Sequence, residues 1–401
     1  MIQWVAASLL CLGVVMVTSA GLMVDNRDFD HMMFLQSRPV IYAAVAMITL
    51  YVISFVDIRQ LTLCRGRTNV VGWMLAITIV LCVLVLIPGI GKEVNYARRW
   101  LPLGPISFQP SELAKWIMVL AIARWCSRHA GAMPTFFSGL IPPLMVTGVF
   151  VMLTAKEDLG TAALMGMVGL GMVVAAGAKL WHVLIPTGVG GGGGSYMIVS
   201  TEYRWNRWTA FLNPWDDPEG TGYHPIRSMV SIASGDVEGK GLGNGLQKMG
   251  YLPEDTTDFI FAVICEELGV LGAILVVCLY ITLLWAGLRI VLSCRFPFGR
   301  LLGCGIILTV GLQAIINLAV VTVMMPTKGI ALPLLSNGGT GWVLTAAFLG
   351  LLVATDRLNL LAESDSQTTE SSDEGTTRSD EPVTTSDRDN TRLTSDVVAA
   401  T

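Results

Sequence analysis

Ten long apolar runs constrain the fold of this chain more than any other feature of its sequence. They are predicted over 2–24, 38–56, 69–89, 110–126, 136–155, 160–178, 180–198, 258–288, 301–323 and 338–355. About 20 helical residues cross the hydrocarbon core of a bilayer, and these runs approach or exceed that length. A soluble domain carries charge on about 25% of its residues, whereas this chain carries charge on 14%. The sequence therefore predicts an all-α integral membrane protein with about ten transmembrane helices.

The first run, 2–24, has the character of a membrane span. It lacks a basic region before its apolar part, and nine further apolar runs follow it. Secretory signal peptides are shorter and lead into a soluble chain. We therefore expect this run to form the first transmembrane helix.

The Lys and Arg residues of the short loops predict the orientation of the chain. Because the number of spans is even, both termini are expected on one side of the membrane. The total Lys and Arg counts of the two sides are similar and do not decide which side that is. The two most basic short loops, 57–68 and 289–300, lie on the side of the termini, and basic short loops remain in the cytoplasm. We predict cytoplasmic termini and one large outer loop, residues 199–257, between spans seven and eight.

The end of the chain differs in composition from the rest. Residues 363–401 hold ten acidic residues and three Arg, are rich in Ser and Thr, and contain few large apolar side chains. Such a segment cannot bury enough apolar surface to offset the entropy lost on ordering. We predict a membrane domain over 1–356 and a disordered acidic cytoplasmic tail over 357–401.

Several charged residues are predicted within the spans, where a charge needs a partner or a water-filled cavity. Glu112 and Lys115 lie three residues apart on one face of span four. They either neutralise each other or line a path for a polar headgroup. Span eight opens with Asp258 and carries Glu266 and Glu267.

Two uncharged features of the spans also carry predictions. Gln313 and Asn317 lie one helical turn apart in span nine, and hydrogen bonding between helices accounts for such residues. The glycine run 190–194 in span seven predicts either close packing against a neighbouring helix or local unwinding.

Cations accumulate on the predicted outer side, where loops ordinarily carry few of them. Arg98 and Arg99 are adjacent, Lys156 lies in a very short turn, and Lys328 lies between two prolines. Several cations on loops that converge over one bundle are typical of a site for an anion such as pyrophosphate.

Two carboxylates lie near these cations in the predicted topology. Asp158 and Asp258 occur at the starts of neighbouring spans and are candidates for general-base or metal chemistry. For Asp258, an N-cap of span eight is the alternative reading. Four scattered histidines, and eight cysteines without a C-x-x-C pair, argue against a zinc site or a disulfide framework.

Six motifs give the chain a resemblance to the FtsW/RodA/SpoVE (SEDS) peptidoglycan polymerases, over about residues 1–356. They read ARRWLPLGPISFQPSELAK at 97–115, EDLGT at 157–161, FLNPWDDPEGTGY at 211–223, GKGLGNGLQK at 239–248, YLPEDTTDFIFAVICEELG at 251–269 and PTKGIALPLLSNGG at 326–339. The segment 211–248 resembles FtsW and SpoVE more than RodA.

The resemblance implies polymerisation of lipid II into glycan strands at the outer face of the bacterial cytoplasmic membrane. The family's catalytic aspartate falls on Asp258, its functional lysine on Lys328, and its arginine pair on Arg98 and Arg99. Lipid II already carries a pyrophosphate leaving group, so one base is sufficient, and direct displacement inverts the sugar. Cations or a divalent metal, Mg²⁺ or Mn²⁺, would stabilise the charge that develops on the pyrophosphate.

Other residues complete the predicted substrate site: Lys156, Glu112, Lys115, Asp158 and Ser336. This chain departs from the family where Gln-Pro-Asp usually occurs, because it has Lys156-Glu157-Asp158. It also has Asn337 after Ser336, where the family usually has Tyr, and His224 where Gln is common.

The resemblance also implies partners and a role. A class B penicillin-binding transpeptidase and other divisome proteins are expected, with septal wall synthesis favoured over RodA-like elongation; no nucleic-acid partner is expected. A lipid II flippase is the second hypothesis, although no internal repeat of the transporter kind is visible. A non-enzymatic scaffold is the third, and it leaves the outer cations and Asp258 unexplained.

Overall fold

The computed structural model describes residues 1–22, 37–63, 69–94, 97–104, 106–245, 257–337 and 339–377. The chain divides into two compact units, Met1–Asn359 and Leu360–Thr401. The first unit is a helical bundle with one small sheet. The second is described only as far as Thr377 and is helical there.

Ten of the described helices match the ten predicted spans, which confirms the all-α membrane architecture. In chain order the helices are α1 (Ile2–Leu22), α2 (Arg38–Ile53), α3 (Arg59–Leu63), α4 (Val70–Leu86), α5 (Pro110–Arg128), α6 (Ile141–Ala155), α7 (Leu159–Ala175), α8 (Leu180–Val199), α9 (Glu202–Leu212), α10 (Tyr223–Ser234), α11 (Ile260–Ser293), α12 (Pro297–Val321) and α13 (Thr340–Thr377). The short α3 and the loop helices α9 and α10 are additional. Five helices have the length and hydropathy to cross a membrane, and α2, α4 and α7 are shorter apolar helices.

Helices α5 and α12 form the centre of the bundle. Almost every residue of α5 from Ala114 to Cys126 is buried, and α12 packs against α5, α7 and α11. Trp116 of α5 is fully buried and stacks on Phe348 of α13, with ring centroids 4.7 Å apart. A helix buried on all sides is typical of the core of a large bundle.

Helix α11 is broken near its start. Gly269 has φ 65° and ψ −160°, a left-handed conformation that glycine adopts without the steric cost of a β-carbon. The break separates the first half of α11, residues 260–268, from residues 270–293. The 24 residues of the second half rise about 36 Å and suffice to cross a bilayer. The predicted span 258–288 therefore agrees with this helix but did not anticipate its break.

Residues 92–108 form a small antiparallel sheet that the sequence analysis did not predict. Its strands, in the order β1-β2-β3, are β1 (Lys92–Val94), β2 (Ala97–Leu103) and β3 (Ile106–Phe108). Successive side chains of a strand point to opposite faces. Arg98 and Arg99, adjacent in β2, therefore reach different partners.

The long loop is folded over its described residues 199–245. Helices α9 and α10 are joined by a turn in which a β-carbon on Gly222 would lie 1.9 Å from the carbonyl oxygen of Pro214. That turn therefore requires glycine. The loop continues over 235–245 onto the break in α11, and residues 246–256 lie outside the described residues.

Two predictions about the ends and faces of helices differ from the structure. Helix α13 continues to Thr377, so the prediction of disorder from residue 357 does not describe residues 357–377; positions 378–401 lie outside the described residues. Helix α8 runs unbroken through the glycine run 190–194, and a β-carbon on any of these glycines would have nothing within 4 Å. Neither close packing within the chain nor unwinding explains that run.

The chain start and the end of the last apolar run lie at the same end of the bundle. Met1, Gln3, Arg289, Ser293 and Asp356 line one cavity there. This placement agrees with an even number of crossings.

Candidate functional site

Asp258 lies two residues before α11, next to the loop between α12 and α13. A β-carbon on Gly329 would lie 2.9 Å from Oδ2 of Asp258 and 4.0 Å from Nη1 of Arg99. The Asp258 carboxylate and the Arg99 guanidinium therefore meet at the backbone of Gly329, the residue after Lys328. The structure thus brings together two of the predicted site residues, Asp258 and Arg99, at the loop that carries a third, Lys328. The N-cap of α11 is Phe259 rather than Asp258, so capping does not account for Asp258.

Asn317 of α12 fixes the backbone on both sides of this meeting point. Its Nδ2 donates to the carbonyl oxygen of Asp258 at 2.8 Å and to that of Ile330 at 2.7 Å. The side chain is 1% exposed. One buried amide therefore joins the start of α11 to the loop that carries Lys328, whereas the sequence predicted hydrogen bonding between helices.

Arg99 is held in place by the turn between α6 and α7. Its Nε donates to the carbonyl oxygen of Glu157 at 2.9 Å, and its Nη1 lies 3.4 Å from Oδ2 of Asp158. Asp158 is the N-cap of α7, where its carboxylate accepts from the amide and the hydroxyl of Thr161. The carboxylate that caps α7 thereby also orients the guanidinium.

Arg98 is engaged on the other face of β2. Its guanidinium pairs with Glu93 at 3.2 Å, and its backbone amide donates to Oε2 of Glu157 at 2.8 Å. Both arginines line a small pocket whose polar wall includes Ser111 and whose apolar wall comes from α4. Arg98 therefore contributes to the surroundings of Arg99, but its guanidinium is committed to Glu93.

Lys328 lies in the loop between α12 and α13, and neighbouring charged groups change its pKa. Burial lowers the pKa of Lys328 from its usual 10.5, and the nearby positive charges of Arg204 and Arg207 lower it further. The negative charge of Asp158 opposes this change. Partial burial and neighbouring cations thus both lower the pKa of Lys328, and binding of an anion would oppose this change.

The sequence analysis did not include Arg204 and Arg207 of α9 among the site residues. Arg204 Nη2 donates to the carbonyl oxygen of Lys156 at 2.7 Å, and Arg207 Nη1 donates to that of Thr327 at 3.2 Å. The two arginines thus link the long loop to both turns that carry site residues. Their position on the predicted outer side, where cations are unexpected, was the available signal. Lys156 itself is exposed, and the structure uses its carbonyl rather than its ammonium.

Glu112 and Lys115 form a buried ion pair, the first of the two predicted alternatives. Their oxygen and nitrogen lie 2.8 Å apart. Lys115 Nζ also donates to Gln313 Oε1 at 2.7 Å, and Gln313 Nε2 donates to the carbonyl oxygen of Ala331. Through Gln313, the pair is connected to the loop that carries Lys328. The sequence analysis predicted instead that Glu112 and Lys115 contact the substrate.

Ser336 is 1% exposed. Its hydroxyl oxygen accepts from the amide of Leu332 at 2.7 Å, and its carbonyl accepts from Trp342 Nε1. The loop needs these bonds because Leu334 takes a left-handed conformation, with φ 63°. These bonds give Ser336 a role in folding the loop, and its substrate-binding role stays a prediction.

The arrangement offers one base and a group of cations. Both oxygens of Asp158 are engaged by Thr161 and Arg99, whereas Asp258 is only partly buried. Among the described residues, no three His, Cys, Asp or Glu side chains come together as a metal site. Mg²⁺ is usually held by one or two carboxylates together with substrate phosphates. Asp258 fits that donor set if a diphosphate supplies the other oxygens.

Comparisons with known proteins show which family the chain is similar to. The family model for FtsW/RodA/SpoVE, described as "Cell cycle protein", matches residues 1–359. A protein of Alkalilimnicola ehrlichii named "Probable peptidoglycan glycosyltransferase FtsW" is 38% identical, over 86% of this chain and 86% of its own. "Stage V sporulation protein E" of Bacillus subtilis is 36% identical, over 87% of this chain and 94% of its own.

One solved structure is similar over most of its length. It is described as "Structural coordination of polymerization and crosslinking by a peptidoglycan synthase complex". Its chain superposes with a TM-score of 0.71 at 26% identity, covering 89% of this chain and 97% of that one.

Proposed function

The chain belongs to the FtsW/RodA/SpoVE family, and we propose that it is a peptidoglycan glycosyltransferase that polymerises lipid II with Asp258 as general base. The observation that carries the proposal is the meeting of the Asp258 carboxylate and the Arg99 guanidinium at Gly329, beside Lys328. A carboxylate and a guanidinium that meet at the loop carrying Lys328 match the needs of a displacement whose leaving group is a diphosphate.

The reaction follows from these roles. Asp258 accepts the proton of the acceptor sugar hydroxyl while that oxygen attacks the anomeric carbon of the donor. The bond between that carbon and the diphosphate oxygen breaks, and its electron pair leaves with the diphosphate. Lys328 and Arg99 stabilise the negative charge that grows on the leaving group. Direct displacement inverts the configuration, and no second carboxylate is required, in contrast to glycoside hydrolysis.

A divalent cation, Mg²⁺ or Mn²⁺, belongs to this proposal. It would add Lewis-acid stabilisation of the departing diphosphate. It would be held by phosphate oxygens of the substrate together with a carboxylate of the site.

The same reasoning extends to location and partners. We place the chain in the bacterial cytoplasmic membrane, with its termini in the cytoplasm and its site on the outer face. The basic loops 57–68 and 289–300, on the side of the termini, support this orientation, because basic short loops remain in the cytoplasm. A septal role in cell division is supported by the relatives named FtsW. A class B penicillin-binding transpeptidase is the proposed partner, supported by similarity to a synthase complex that coordinates polymerisation and crosslinking.

The flippase hypothesis is less favoured by the geometry. It required Glu112, Lys115 and Glu266 to line a path for a headgroup. Glu112 and Lys115 pair with each other, and Glu266 is fully buried with Lys240 at 2.8 Å. Charges that neutralise each other at such distances do not provide a polar path.

The decisive experiment is polymerisation of labelled lipid II by the purified protein, read as glycan ladders on a gel. Asp258→Asn keeps the size of the side chain but removes its ability to take a proton. We expect a loss of about 10²-fold or more, the usual contribution of a general base. Asp217→Asn, in an exposed turn of the long loop, is the matched control and should keep full activity. Near-normal ladders from folded Asp258→Asn protein would exclude Asp258 as the base.

A further inference from the structure

The segment of the long loop that follows α10 packs against the break in α11 and forms hydrogen bonds with it. The left-handed turn at Gly269 interrupts the helical hydrogen bonds of its neighbours. The amides of Lys240 and Gly241 donate to the carbonyl oxygens of Glu266 and Glu267, at 3.0 and 2.9 Å. The segment 235–241 thus supplies the partners that the broken helix lacks.

Glycines make this contact possible. A β-carbon on Gly235 would lie 1.9 Å from the carbonyl oxygen of Cys265, and one on Gly239 would lie 2.3 Å from that of Glu267. The two backbones therefore approach more closely than any side chain would permit. The glycine-rich motif 239–248 has a structural use here that the catalytic residues do not explain.

A buried charge cluster lies at the same junction. Glu266 and Glu267 are both fully buried. Lys240 Nζ lies 2.8 Å from Glu266 Oε1 and is 28% exposed. The hydroxyl of Ser19 of α1 donates to Glu267 at 2.8 Å, and the hydroxyl oxygen of Ser231 of α10 lies 3.4 Å from Oε2 of Glu266. The ammonium and the hydroxyls offset the cost of burying two carboxylates.

The first half of α11 is held at both ends and in the middle. Asn317 binds the carbonyl of Asp258, and Ser231 donates to that of Ala262 at 3.0 Å. The Lys240 junction holds the carbonyls of Glu266 and Glu267. From Ile260 to Glu266 the helix rises about 9 Å, so a tilt at the junction moves Asp258 directly.

We propose that Lys240 is a positioning residue for the polymerisation reaction: by pairing with Glu266 at the end of the first half of α11, it sets the position of Asp258 in the site. This inference rests on the proposed function. It assigns to the long loop a role in catalysis that does not require contact with substrate. A displacement of about 1 Å at a reacting group can cost about 10²-fold in rate.

A charge-balance series of variants tests the proposal in wild-type-length protein reconstituted into liposomes. Lys240→Gln leaves the buried Glu266 without its cation. Glu266→Gln leaves Lys240, which is partly exposed and can reach water. The double variant Lys240→Gln/Glu266→Gln places two amides together, which can hydrogen-bond to each other. Lys179→Gln, at the exposed start of α8, is the control.

We expect Lys240→Gln to lower kcat for lipid II by about 10- to 100-fold while KM changes by less than about twofold, since ground-state binding is untouched. Glu266→Gln should lower kcat less. The double variant should recover kcat to within about threefold of wild type, because the two effects are coupled. The melting temperature of each variant is measured in parallel, and Lys179→Gln should match wild type throughout.

Two results would overturn the proposal. One is an unchanged kcat in both single variants. The other is a kcat that follows the melting temperature without recovery in the double variant, which indicates a role in stability alone. If Lys240→Gln does not fold, Glu266→Gln and the double variant decide the question. A wild-type protein that makes no glycan would instead refute the proposed function, so the two failures are distinguishable.

Discussion

Asn317 is the residue whose removal should separate the general base from the Lys328 loop. Its amide donates to the carbonyls of Asp258 and Ile330 at 2.8 and 2.7 Å, inside the bundle. Asn317→Leu keeps the approximate volume and removes both bonds. The carbonyl of Ile330 cannot turn to water, because Ile330 is buried together with the Asn317 side chain.

The size of the effect follows from these two bonds. A buried hydrogen bond contributes about 0.5–1.5 kcal/mol, so the pair contributes about 1–3 kcal/mol. If the whole loss is felt in the transition state, kcat falls by about 5- to 150-fold. Asn317→Asp should be worse, because a carboxylate places two acceptors against two carbonyl oxygens and donates to neither.

The assay is steady-state polymerisation of lipid II, with kcat and KM measured separately and folding checked by thermal unfolding. Thr309→Val is the matched control. Thr309 is also a buried polar residue of α12, but its hydroxyl bonds the carbonyl of Gly305 in its own helix. We expect Thr309→Val to keep kcat. Wild-type kcat in folded Asn317→Leu protein, or an equal loss in Thr309→Val, would refute the reasoning.

Three further outcomes are expected. The polymerisation rate should decrease in the order wild type, Lys328→Arg, Lys328→Met, with the second decrease the larger. Arg99→Lys should likewise keep a higher rate than Arg99→Met, because a charge-retaining change preserves anion stabilisation. Equal rates for Lys328→Arg and Lys328→Met would remove Lys328 from the site. Burial lowers the pKa of Lys328, so the ammonium loses its proton below pH 10.5 and polymerisation activity should fall as the pH rises. The free energy of unfolding should rise over the same pH window, because the unfolded state still binds the proton. Lys328→Arg should move the alkaline limit of kcat/KM to higher pH, and an unmoved limit would contradict this assignment. Truncation after Leu361 should leave folding and polymerisation in vitro unchanged, which size-exclusion chromatography and the glycan ladder will check; aggregation of the shortened protein would contradict it.

The spans were predictable because apolar length is written directly in the sequence. The break at Gly269 was not, because a glycine in an apolar run is compatible with a continuous helix. Only the contact with 235–241 shows that the left-handed conformation is stabilised there. The small sheet escaped prediction because β1 and β3 have three residues each, too few for an alternating pattern.

The candidate site was predictable only in part. Motifs predicted Asp258, Arg99 and Lys328, and the structure brings the side chains of Asp258 and Arg99 together at Gly329, the residue after Lys328. Ser336 lies in an equally distinctive motif, yet its hydroxyl serves the loop. A motif does not distinguish residues that act on the substrate from residues that fold the loop. That distinction requires the hydrogen-bond partners seen in the structure.

The short helices at this site have a consequence for the surrounding bilayer. Helices α4 and α7 have 17 residues each and rise about 26 Å, less than the hydrocarbon thickness of about 30 Å. Leu86, at the end of α4, and Asp158, at the start of α7, both line the pocket beside Arg99. A bilayer adapts to helices shorter than itself by thinning around them. Thinning on this flank would bring lipid headgroups toward Arg99 and Asp158, and we expect a lipid-linked substrate to reach the site through such a local depression of the membrane surface.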